Sequence, residues 1–163
     1  EIPCRDWSSD VCSSDLCHHY IALVTQLALD AEQFDGPSLL MRASAETFQG
    51  ALATYFAKHK VTQTTDRIAI AEQYFAFMGL GQVRFECGSG VATVTMRHSH
   101  VDEGWMKKWG QRTQPVNHLG RGFIQAACAA IHGLRDPGRV QVSETQSIVC
   151  GASVSKFVAV WQE

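Results

Sequence analysis

The chain has no apolar run near the ~20 residues that a membrane-spanning helix needs, which excludes a helical span. It is also poor in charge: charged residues make up 18% of its 163 positions, and 14 basic against 16 acidic side chains leave a formal net charge of -2. Phosphate binding relies on a dense basic face, so this balance argues against a nucleic-acid partner. There is no nucleotide-phosphate loop, no DNA-reading helix and no secretory hydrophobic region. Six cysteines are present without one C-x-x-C pair. A disulfide framework is therefore not indicated, and reduced thiols in a cytoplasmic protein are the simplest reading. Apolar residues, by contrast, are ample at 45%, enough to order one globular domain of this length.

Residues 1 to 16, EIPCRDWSSDVCSSDL, follow no helical or strand period. The run Asp6 to Leu16 resembles the translation of a common short-read sequencing adapter fused in frame to a gene fragment; the alternative is a natural Ser-rich linker. Setting it aside removes Glu1, Asp6, Asp10, Asp15 and Arg5, so 16 acids become 12, 14 bases become 13, and the charge moves from -2 to +1. Cys17, Cys87, Cys128 and Cys150 remain, at long and uneven spacings. The domain is expected to occupy residues 17 to 163, with a native start missing before Cys17.

Ile21, Val24, Leu27 and Ala28 recur at helical spacing up to Gly36-Pro37, and Leu39 through Ala57 suits a second helix. Gly50 weakens the second by about 1 kcal/mol relative to Ala, a cost explained if another element approaches closely there. Thr64 or Thr65 is placed to cap a third helix carrying Ile68, Ala71, Phe75 and Met78. The period then changes to two. Val83 and Phe85, a turn at Gly88-Ser89-Gly90, and Ala92, Val94 and Met96 predict a β-hairpin. Asp102 to Gly110 reads as a helical turn or two, or a lid. Leu119 to Ile131 reads as a helix, and Arg139 to Gln146 with Val154 to Trp161 as strands around Gly151. The class is α+β: N-terminal helices packed on one face of a twisted antiparallel sheet, with a further helix between two hairpins.

The densest chemistry lies in Arg97 to Trp109. On a continuous strand His98 and His100 would share a face, so the pair could hold one divalent metal, with Asp102, Glu103 or His118 completing the set. The alternative is two solvent-facing imidazoles that bind nothing. Trp105 and Trp109, four apart, would stack on one helix face with Lys107 and Lys108 turned away, suiting an aromatic ligand or simply covering the sheet. Glu144 shares a strand face with Val140 and Val142, so it either pairs with Arg121, Arg139 or a histidine, or carries a raised pKa. Cys128, in a run of alanines, reads as a buried small hydrophobe. Gly120-Arg121-Gly122 is a weak anion motif and a sufficient helix entry.

The last third, from Pro115-Val116-Asn117-His118-Leu119-Gly120-Arg121-Gly122-Phe123-Ile124 through Glu144-Thr145 and Gly151 to Lys156-Phe157, resembles the 4-vinyl reductase domain family, as does the earlier Met78-Gly79-Leu80-Gly81-Gln82-Val83-Arg84-Phe85. The resemblance implies a fold shared with haem nitric-oxide sensors and a transport-particle subunit, commonly dimeric, with a buried small-molecule pocket. It transfers an architecture more safely than an activity. In zinc-binding members three cysteines and a glutamate hold the metal; the matching positions are Asn117, Glu144, Ser147 and Ser155. Two serine hydroxyls are poor substitutes for thiolates, so that zinc site is expected to be empty.

Three functions follow as expectations. One is a sensor domain enclosing a small apolar or aromatic ligand near His98, His100, Trp105, Trp109, Phe123 and Glu144. Another is an enzyme, metal-assisted through His98, His100 and Asp102 or tetrapyrrole-related. The third is a non-catalytic interaction subunit. No cofactor is firmly implied beyond a divalent metal at His98 and His100, and a homodimer is expected.

Overall fold

Apolar residues at helical spacing build three helices before the first strand: α1 (His18–Asp30), α2 (Gly36–Lys58) and α3 (Thr64–Phe77). The computed structural model describes residues 17–162, so the adapter-like leader lies outside the described residues. Between α1 and α2 the chain makes one tight turn at Glu32–Phe34, and Asp35 adopts a left-handed conformation with φ of 48°. Pro37 then sits in the first turn of α2, where its missing N–H costs nothing. The expected threonine cap on α3 is not made: Gln63 precedes the helix and no side chain caps it.

The strands follow the period-two pattern. β1 (Gly81–Cys87) and β2 (Val91–Ser99) form the first hairpin, then come α4 (His100–Trp109) and α5 (His118–His132), then β3 (Gln141–Gln146) and β4 (Ser155–Val160). All pairings are antiparallel in the order β1-β2-β4-β3, so the two hairpins join through β2 and β4. One cross-strand row runs Phe85, Val94, Phe157, Glu144 through the whole sheet. The first three are buried, so the fourth, a carboxylate, is carried to the covered face by the pleat.

α5 is the helix around which the rest pack. Its run Ala126-Ala127-Cys128-Ala129-Ala130 is buried between α2 and the sheet, since small side chains let neighbouring backbones come close. Burial pushes the Cys128 thiol well up, in keeping with an inert core cysteine. Gly122 marks the tightest approach to α2: a Cβ there would stand 2.2 Å from the Met41 carbonyl oxygen. Gly50, expected to admit a neighbour, has nothing within 4 Å of such an atom and is exposed. The main core joins Phe48, Leu52 and Phe56 of α2 and Phe75 of α3 with α5 and the inward residues of the sheet. A smaller cluster of Trp105, Val116 and Val149 lies where α4 meets the loops around it. Helices therefore cover one face of an antiparallel sheet, as an α+β plan requires. No helix among the described residues is long and apolar enough to cross a membrane.

Candidate functional site

A bulge sets up the site. The register passes from Gln82 opposite His98 to Val83 opposite Met96, leaving Arg97 as an extra residue. Arg97 and His98 both face solvent, and Ser99 turns inward at 1% exposure. Ser99 then ends the strand and caps α4, its hydroxyl accepting from the Asp102 N–H at 3.2 Å. The cap fixes the first turn of α4, and that turn carries Asp102 into the interior with no exposed surface.

Asp102 is met there by groups from two other elements. Asn117, the N-cap of α5, accepts from the Gly120 N–H at 2.9 Å through Oδ1 and donates through Nδ2 to Ser99 Oγ at 2.9 Å and Asp102 Oδ2 at 3.1 Å. Ser155 of β4 donates to the same Oδ2 at 2.9 Å and accepts from the Ile148 N–H at 3.0 Å. Asp102 Oδ1 has no hydrogen-bond partner among the described residues. Burial raises the Asp102 pKa against the hydrogen bonds from Ser155, Ser99 and Asn117.

Glu144 lies beside this network. Both of its carboxyl oxygens and the hydroxyl of buried Ser147 are closed off from solvent. Burial, reinforced by the Asp102 charge, pushes the Glu144 pKa up to about 8; Ser147 and Arg121 favour the ionised form and are outweighed. Of the two fates expected for this carboxylate, pairing and a raised pKa, the second is found. Arg121 instead donates to the Val142 carbonyl at 3.3 Å, and Arg139 to that of Gln162 at 3.0 Å. Glu144 and Ser147 form part of the wall of an open pocket of about 530 Å³, with Thr113, Thr145, Gln146 and Ser153 among its other lining residues.

The positions that match the family's zinc ligands, Asn117, Glu144, Ser147 and Ser155, thus fall in one neighbourhood. Their donor set does not fit a thiolate-bound zinc ion. No cysteine is among them, and the Asn117 amide and the Ser155 hydroxyl are already engaged with Asp102.

The other expected site residues are dispersed. His98 and His100 do not share a strand face, because β2 ends at Ser99 and His100 begins α4. His98 is exposed, 3.3 Å from Glu103 Oε1, whereas His100 is buried with its ring stacked 3.7 Å from that of His18. Asp102 is held by the serine and asparagine groups, and His118 heads α5, its pKa driven down to about 4 by burial and by Arg121 and Arg112. No group of three histidine, cysteine or acidic side chains among the described residues could hold a metal ion. Trp105 and Trp109 are 6.1 Å apart, but the first is buried with Val116 and Val149 and the second is 49% exposed. Lys108 is not turned away; its ammonium lies 4.7 Å over the Trp109 ring. Phe123 is wholly buried in the main core, 5.2 Å from Phe48 and 4.7 Å from Phe75. Of the residues expected to contact ligand, Glu144 alone lines the pocket. The role of Ser99 was missed by sequence reasoning, although a serine three residues before Asp102 is an N-cap signal.

No family model matches the chain, and no curated protein does. Solved structures share its fold, two of them as follows. The phenol-responsive sensory domain of the transcription activator PoxR, with phenol, superposes with a TM-score of 0.72 at 12% identity, covering 90% of this chain and 75% of that one. A trafficking protein particle complex subunit 3 from Naegleria fowleri, covalently bound to palmitic acid, superposes at 0.55 and 10% identity, covering 90% of this chain and 95% of that one.

Proposed function

We propose that this chain is a small-molecule-binding sensory domain of the 4-vinyl reductase type, without the cysteine zinc site, whose ligand enters at the Glu144 pocket. The observation that carries this reading is the open pocket of about 530 Å³ whose wall includes Glu144 and the hydroxyl-bearing Thr113, Thr145, Ser147 and Ser153. A ligand bringing a polar group to the pocket would meet hydroxyl and amide side chains on its wall. Concave sites with a few such convergent groups and a perturbed carboxyl are the usual form of small-molecule sites. The phenol held by one structural neighbour and the palmitic acid held by the other support binding of small molecules on this scaffold. Signalling would follow from the ligand's differential affinity for two packings of the domain.

Native mass spectrometry of the purified chain, followed by thermal unfolding with phenols, alcohols, amines and fatty acids, tests the reading. A ligand at 100 times its Kd stabilises by about 2.7 kcal/mol, readily seen as a rise in Tm. The rise should vanish in Ser153→Trp, which fills the pocket from an exposed position. No shift with any class, or a shift that survives the bulky substitution, rejects the assignment.

A further inference from the structure

Two histidines join α1 to α4. His18, the first residue of α1, lays its ring on that of His100, the first residue of α4: the centroids are 3.7 Å apart and the planes differ by 14°. One turn along α4, Gly104 leaves room for this approach, since a Cβ there would stand 3.2 Å from both Nδ1 and the carbonyl oxygen of His18. His100 is buried, and its backbone N–H donates to the Leu80 carbonyl at 3.0 Å, which fixes the α4 side of the stack to the chain ahead of β1. His18 is half-buried, so the ring free to leave the stack is the one on α1. The rest of α1 docks through uncharged groups: Ile21, Ala22 and Thr25 are buried, and Leu29 packs on Trp105, Val116 and Val149. From Cys17 to Leu29 there is no Asp, Glu, Lys or Arg, so no fixed charge of α1 offsets a charge gained at His18.

We infer that the stacked pair is an acid-operated latch: while at least one ring is neutral it holds the start of α1 on α4, and protonation of both rings releases it. Two like charges at this separation repel, whereas neutral rings pack as flat apolar faces. The groups around His18 set the direction. Burial, and after it the Lys107 ammonium of α4, lower its pKa from 6.5; the His100 backbone and the Glu103 carboxylate of α4 favour the cation, and His19 opposes it. Glu103 is shared with His98, 3.3 Å away. No charge of α2, the other helix that α1 packs on, acts on His18 among the described residues. Docked His18 is therefore neutral at pH 7, the released ring takes up a proton more readily, and the latch weakens as pH falls below 6.5. Cys17 titrates nearby, its thiol pulled down to about 7 by the backbone N–H groups of Tyr20 and His19 and by the His19 ring, so the test separates it from the stack.

Amide hydrogen exchange of the full chain between pH 7.5 and 5, corrected for the intrinsic rate at each pH, tests the latch. Amides in the first two turns of α1 should lose about tenfold or more of their protection relative to those of α5 as the pH falls. Global changes in stability, such as those from Glu144 and His118, act on both helices and cancel in this ratio. His18→Phe keeps a flat ring on His100 and takes away one of the two charges, so the loss should disappear in it. His100→Phe, made separately, should do the same, and Cys17→Ser should leave the loss in place. An unchanged ratio, equal losses in α1 and α5, or a loss that survives both phenylalanine variants overturns the inference. So does a loss that disappears in Cys17→Ser, since the thiol and not the stack would then be responsible. The latch needs no ligand, and its failure leaves the small-molecule reading intact.

Discussion

Ser155 Oγ donates to Asp102 Oδ2 at 2.9 Å, tying the last strand to α4 across 53 positions of sequence. With Asn117 donating to the same oxygen, one acceptor closes a network built from three separate elements. Asp102→Ala should cost about 2–3 kcal/mol, because the Ser155 donor and one Asn117 donor lose their acceptor in a dry site. Asp102→Asn keeps an acceptor oxygen and the volume, and removes the charge that burial disfavours, so its cost should stay below about 1 kcal/mol. Urea midpoints at unchanged m-value measure both. Equal losses from the two substitutions would show that the network depends on the charge and not on the acceptor.

Glu144 gives the domain a pH dependence whose sign is fixed. Its pKa rises from 4.5 to about 8 on folding, so between those values the folded state binds more protons than the unfolded state and stability falls as pH rises. His118, lowered from 6.5 to about 4, acts oppositely between its two values, the unfolded state binding more protons. The two effects oppose each other up to pH 6.5, and the Glu144 effect persists beyond it. The Glu144 share of stability should decline from pH 6.5 to 8, by at most about 1.4 kcal/mol per pH unit. In Glu144→Gln that share should disappear. A difference curve between the two proteins that is flat across this window would refute the assignment.

The helices and strands were legible because their apolar periods are unambiguous; Ile21 to Ala28 repeats at helical spacing and Val83 to Met96 alternates. The site was legible only in part. Glu144 could be placed on an inward face from Val140 and Val142 alone, since the pleat is a local property. His98 and His100 could not be separated, because the bulge at Arg97 that shifts the strand's phase depends on the pairing with β1. The burial of Asp102 was equally hidden: it rests on Asn117 and Ser155, fifteen and fifty-three positions away, and acidic residues early in a helix are ordinarily solvated.

Two glycines in helices should respond oppositely to the same substitution. At Gly122 a Cβ would meet the Met41 carbonyl oxygen at 2.2 Å and Ser44 Cβ at 2.7 Å, backbone and packed side chain that have no room to give. Gly122→Ala should therefore force α2 and α5 apart and cost about 1–3 kcal/mol. Gly50 is exposed in the middle of α2 with nothing within 4 Å, so Gly50→Ala should stabilise by about 0.5–1 kcal/mol through reduced backbone entropy of the unfolded chain. Thermal unfolding of the two variants checks the signs directly. A stabilised Gly122→Ala would mean that the two helices do not cross at this distance.

Trp105 and Trp109 are neighbours on α4 with different work to do. Trp105 is 4% exposed, packed with Val116 and Val149, and the Arg112 guanidinium lies 5.3 Å over its ring. Its replacement by Ala should leave a cavity costing about 3–5 kcal/mol. Trp109, 49% exposed, meets mainly Trp105 and the Lys108 ammonium, so Trp109→Ala should alter stability by no more than about 0.5 kcal/mol. The second variant also separates two locations for the ligand, since Trp109 is not part of the Glu144 pocket lining. Its affinity for a ligand entering there should match that of the wild type in calorimetry. A large loss of affinity in this stable variant would move the binding site from the sheet edge to the exposed indole of α4.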